Sequence, residues 1–157
     1  MNRIFAGIPV ELGVALFCAV QNRVLWIAWR HSPRDRLGDL TFLIWLLPAL
    51  WIAFRKPANP PRSGVPIFSV AALMMATVGF ITDVNALNAV ALALSVAALL
   101  PRPAASLVWL LGAVGWMPAF GWYAHFLPTI ALALARLTLG VGASAWLLQA
   151  SRKSSSP

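Results

Sequence analysis

The chain reads as an all-α, polytopic transmembrane helix bundle, and three observations predict it. Hydrophobic residues make up 61% of the 157 residues and charged residues only 10%, with a mean hydropathy of +0.80. So little polar surface cannot cover a soluble globule of this size. The apolar residues fall into about six runs of roughly 17–25 residues, the length that crosses a hydrocarbon core as helix. None of the runs shows the dyad alternation of a membrane β-barrel. Residues 1–150 are expected to form a single transmembrane helical domain, with 151–157 a disordered cytoplasmic tail.

The first span runs from about Ile4 or Ile8 to Trp29 and carries Glu11, Gln21, Asn22 and Arg23. That polar content predicts a helix inside the bundle, with Trp26 and Trp29 at its interfacial end. Pro33 breaks the polar connection Arg30–Arg36. The second span, Leu37–Phe54, holds Asp39 in its first turn, where a carboxylate suits the helix dipole, and Pro48, which is expected to kink it. The basic, Pro-rich stretch Arg55–Arg62 reads as a linker.

Val65–Thr82 forms the third span and turns through Asp83-Val84-Asn85 into a fourth, Ala86–Leu100. So short a turn makes the two an antiparallel hairpin. Ser106–Trp122 is the fifth span. Trp116, Trp122 and Tyr123 cluster around Pro118 and Gly121 as an interfacial aromatic belt. The sixth, Phe126–Leu148, has Pro128 in its first turn and a small-residue patch, Gly140–Ser144, that permits close helix approach.

Twelve Lys and Arg against four acids give a net charge of +8. The basic residues sit mainly in the connections, where they set topology, so nucleic acid is not expected as a partner. One set of connections holds Arg3, Arg55, Lys56, Arg62, Arg102, Arg152 and Lys153, the other Arg30, Arg34 and Arg36. This asymmetry predicts cytoplasmic termini in a bacterial inner membrane. No cleavable signal peptide is expected at the start. The expected partners are the lipid bilayer and another membrane protein or a second copy of the chain.

Arg136 lies well inside the sixth run, where a charge costs a few kcal/mol unless it finds a partner. With that topology Arg23, Asp39, Asp83, Asn85, His125 and Arg136 share the outer half of the bundle and form the candidate site. Two arrangements are open. In one, Arg23 pairs with Asp39, and Arg136 reaches the Asp83–Asn85 turn or backbone carbonyls, or Asp39 where Arg23 does not claim it, fixing helix register. In the other, these groups line an outward-facing polar pocket for an anionic or peptide group, as in a small transporter or channel subunit.

Catalytic constellations are thin, and the chain leans away from being an enzyme. Cys18 falls at mid-membrane, too far from His31 and His125 for a thiolate and its base, and reads as a small buried hydrophobe. The serines show no nucleophile-elbow context. The histidines and acids have no metal-site spacing, and there is no phosphate loop, so no metal and no cofactor is expected.

The loop leading into Leu37-Gly-Asp-Leu-Thr-Phe-Leu-Ile-Trp45, the basic stop at Arg55-Lys56 and the Asp83–Asn85 hairpin together resemble the N-terminal part of exosortases and archaeosortases. Trp109-Leu-Leu-Gly-Ala-Val-Gly-Trp-Met-Pro118 is similar to that family's apolar run into a proline, and Leu127–Arg136 to the helix that follows. The family consists of polytopic transpeptidases that cut a C-terminal sorting signal from exported proteins. Their catalytic cysteine, with a partner arginine and a histidine or further arginine, lies in later helices, and no position here matches the cysteine motif. The resemblance therefore implies a shortened, non-catalytic scaffold, or a subunit that needs a second polypeptide.

Overall fold

The computed structural model describes residues 10–35, 37–55, 65–100 and 103–152, and all regular structure among them is helical. The helices are α1 (Val10–Gln21), α2 (Arg23–His31), α3 (Gly38–Arg55), α4 (Val65–Thr82), α5 (Asn85–Ala97), α6 (Pro103–Leu111), α7 (Pro118–Tyr123) and α8 (Thr129–Arg152). Short 3₁₀ turns cover Pro33–Asp35 and Gly112–Gly115. The Pro-rich linker, apart from its first residue, lies outside the described residues, as do 153–157. Where a tail was expected from residue 151, α8 runs on to Arg152.

Two segments, Pro33–Phe54 and Thr129–Arg152, are long and apolar enough to cross a membrane; a third qualifies if α1 and α2, bent by 48° at Gln21–Arg23, count as one span. Ile67–Thr82, Asn85–Ala97 and Ser106–Gly115 are shorter apolar helices. The first and fifth spans read from the sequence are thus broken. Asn22 accompanies the first break: its side-chain amide donates to the Cys18 carbonyl within α1 and to the Asn88 carbonyl on α5, both at 2.8 Å. The second follows from Gly112-Ala-Val-Gly115 and from Pro118, which holds Met117 extended and prevents the helix from continuing.

The Ala-rich α5 lies at the centre, with Ala89, Ala91, Leu92, Ala93, Val96 and Ala97 buried, and packs against α4, α1 and α6. The expected α4–α5 hairpin forms. Asp83 takes a left-handed conformation, φ 55°, and the Val84 N–H closes on the Gly79 carbonyl at 3.1 Å, capping α4. On the other side α3, α6 and α8 pack together, and α1, α3, α4 and α8 turn large apolar side chains outward. Leu16, Phe17 and Val20 on α1, Leu47 and Phe54 on α3, Met74 and Phe80 on α4, and Leu134 on α8 are all exposed. Water would penalise such a surface and lipid accepts it.

A seam of indoles joins the two sides. The rings of Trp45 and Trp109 stack with centroids 3.8 Å apart at 10°, and each N–H donates to the other residue's carbonyl, at 3.0 and 3.1 Å. Aromatic pairs normally prefer wider, offset or edge-on geometry, so the reciprocal hydrogen bonds set this stack. Phe42 and Trp116 extend the seam to Trp29.

Pro48 illustrates how the backbone is satisfied in an apolar medium. It lacks the N–H that would bond the Ile44 carbonyl four residues earlier, and α3 nevertheless runs through it. The Ser144 hydroxyl on α8 donates to that carbonyl at 2.7 Å, across an interface that Gly112, Gly140 and Ala143 keep thin. Such rescue of a proline-freed carbonyl by a neighbouring helix is what the hydrocarbon core demands. Ser144→Ala is expected to cost about 1–3 kcal/mol in a detergent unfolding titration. In a Pro48→Ala background, where residue 48 regains its N–H, the same change is expected to cost less than half as much. Equal costs in the two backgrounds would disprove the rescue.

Candidate functional site

Arg136 is the eighth residue of α8, about 10 Å along the helix from Thr129 at 1.5 Å per residue. It is fully buried. One guanidinium nitrogen, Nη2, donates to Asp35 Oδ1 at 2.7 Å. The other, Nη1, donates to the Gly115 carbonyl at 3.0 Å and reaches that of Met117 at 3.5 Å. The Phe120 ring centroid lies 5.7 Å from Cζ, within cation–π range.

These partners exist because two helices stop short. The break at Gly112–Gly115 and the extended Met117 leave the carbonyls of residues 115 and 116 without continuing helical donors, and that of residue 117 shared with the Phe120 N–H at 3.1 Å. Arg136 takes the first and third, and the Trp29 indole N–H takes that of Trp116 at 3.0 Å. On the α2–α3 side, Ser32-Pro33-Arg34-Asp35 turns as a 3₁₀ segment that carries the Asp35 carboxylate inward, 7% exposed. Gly121 closes over the pair. A Cβ there would lie 2.9 Å from Arg136 Nη2 and 3.2 Å from Asp35 Oδ1, so only glycine lets α7 come this near.

Among the described residues, no hydrogen bond or ion pair joins any two of the six read as one cluster. Arg23 opens α2 at an exposed position, and Asp39 is exposed with its Oδ1 accepting the Leu40 N–H at 2.8 Å. Asp83 and Asn85 are exposed at the α4–α5 turn. His125 is exposed after α7, its Nδ1 3.1 Å from the Trp122 carbonyl. Only Arg136 is interior, and the ion pair among the described residues joins it to Asp35, not to Asp39 or Asp83. Neither does Arg23 pair with Asp39. Of the partners weighed for Arg136, backbone carbonyls are realised, and they come from its own upstream stretch.

Asp35 lies in the polar connection Arg30–Arg36, outside the six candidate residues. A signal for it was present: Ser-Pro-Arg-Asp has a capping serine, a proline at the first helical position and an acid two residues on. That pattern marks a helical start, and so ties Asp35 to the bundle.

No family model, no curated protein and no solved structure matches this chain.

Cys18 is buried between α1 and α5 with its thiol against the Ser95 hydroxyl, while His31 and His125 are both exposed. The geometry that is built, a carboxylate and two carbonyls around one guanidinium, joins the α2–α3 connection, the broken fifth segment and α8. It holds a charge in place through three of the five guanidinium N–H donors and leaves Nε without a partner among the described residues.

Proposed function

We propose that the chain is a multi-pass protein of the bacterial inner membrane, crossing six times with both termini cytoplasmic, and that it serves protein sorting as a non-catalytic, exosortase-like scaffold or partner-requiring subunit. The observation that supports this reading is the commitment of Arg136. A substrate-binding arginine exchanges its partners for the ligand. This one is enclosed by Asp35, two backbone carbonyls and the Gly121 backbone, so the interior does structural work and outer surfaces carry the function. The shorter apolar helices α4, α5 and α6 with its 3₁₀ turn supply the remaining crossings. The seven-to-three distribution of basic residues sets the orientation.

A solute path through the outer face is the second reading. It draws on an open cleft of about 250 Å³ lined by Trp29, Arg30, His31, Ser32 and Pro33. One deletion strain separates the two. If the chain serves sorting, precursors carrying a C-terminal sorting signal accumulate without it, and both the wild-type chain and Cys18→Ala restore processing. The purified chain alone leaves a sorting-signal peptide uncut. Failure of a normally expressed Cys18→Ala chain to restore processing would show catalysis. Unchanged processing with lost uptake of a solute would show transport.

A further inference from the structure

Leu37, Thr129, Ile130, Ala133, Leu134 and Leu137 line a groove of about 290 Å³ between the start of α3 and the first two turns of α8. Its walls are apolar except for the Thr129 hydroxyl, and Ile130 and Leu134 lie open on its outer side. Trp122, Tyr123 and Phe126, 80%, 80% and 75% exposed, immediately precede α8 and mark an interfacial plane. From Thr129 to Leu137 the helix then descends about 12 Å, the depth of the upper acyl region.

A cation stands near the head of this groove. Arg34 is exposed on the turn three residues before Leu37, and the neighbouring Asp35 carboxylate is committed to Arg136. Arg34 therefore has no ion-pair partner among the described residues, and the turn that carries it packs against α7 and α8.

We propose that this groove is a site for one anionic glycerophospholipid, with an acyl chain between α3 and α8 and the headgroup phosphate on Arg34. The inference rests on the membrane reading above and is independent of which side of the bilayer the groove faces.

Native mass spectrometry of the full chain, exchanged into mixed vesicles of phosphatidylglycerol and phosphatidylethanolamine, tests it. The wild-type chain is expected to keep one phospholipid through delipidation, with phosphatidylglycerol favoured about fivefold, the ratio that one basic residue near a membrane surface supports. Ala133→Phe, which fills the groove, is expected to lose the adduct, as is Leu134→Trp at an exposed position where folding is undisturbed. Arg34→Gln is expected to keep the adduct and lose the preference. Retention by both groove variants, or no headgroup preference in the wild-type chain, overturns the proposal. So does a wild-type dimer that Leu134→Trp dissociates, because a second copy would then be the occupant. Resistance to alkaline carbonate extraction is measured alongside. Its failure would sink the membrane reading, whereas a missing adduct on a carbonate-resistant chain would sink the lipid site alone.

Discussion

Asp35→Ala is expected to lower the stability of the solubilised protein by about 3–5 kcal/mol, the loss typical of leaving a buried charge without its partner. Arg136 would keep the Gly115 and Met117 carbonyls but not the one group that balances its charge. Arg136→Met is expected to destabilise by a similar amount, stranding a carboxylate that is itself buried. The double variant Asp35→Ala/Arg136→Met is expected to recover much of the loss, since a pair of buried charges replaced by apolar groups is often neutral. Because the pair is buried, raising the salt concentration is expected to leave these differences almost unchanged. An unfolding titration followed by tryptophan fluorescence reads all four proteins. A cost below about 0.5 kcal/mol for Asp35→Ala, the level of an ordinary surface change, would mean that the pair does not hold the fold.

The second large effect is expected at the indole stack. Trp45→Ala and Trp109→Ala are each expected to cost about 3–5 kcal/mol, as for other aromatic truncations in a core. Each also leaves the surviving indole N–H without its carbonyl geometry, so the two losses overlap. The double variant is therefore expected to cost clearly less than the two singles combined. Trp45→Phe isolates the hydrogen bond: the ring remains, the N–H is gone, and about 1–3 kcal/mol is expected to be lost. Additive costs for the two alanine variants would show that the rings are packed neighbours without a reciprocal clasp.

The two clasps bear on function in the same way. Both join α3 or the turn before it to the broken fifth segment, and Arg136 adds α8. Polar groups that a transport path would present to a solute are here bonded to one another. The surfaces left for recognition are the outward apolar faces and the basic rim around Arg30 and Arg34.

Much of the fold was legible because hydropathy acts locally. Val65–Thr82 was read with its observed bounds, the Asp83 turn was found from its sequence, and α3 and α8 were placed within a few residues. The two broken segments were not legible as breaks. Each is one apolar run, and a helix stops inside such a run only where other groups take over its free carbonyls. At the fifth segment those groups lie away in sequence: Trp29 is 87 residues from Trp116 and Arg136 is 21 from Gly115. At the first, the Asn22 amide takes the Cys18 carbonyl locally and is anchored by the Asn88 carbonyl, 66 residues on.

The candidate site divides along the same line. The sequence by itself determined that this is a helical, membrane-type chain, and that Arg136, placed inside an apolar run, must be compensated. Composition and run length suffice for the first, and the cost of an unpaired charge in hydrocarbon for the second. Only the tertiary structure decided which carboxylate answers it. Depth along a helix is readable from residue number. The direction a side chain takes around the bundle depends on how α3, α7 and α8 approach one another, and Gly121, Gly140 and Ser144 set that approach through contacts no linear pattern encodes.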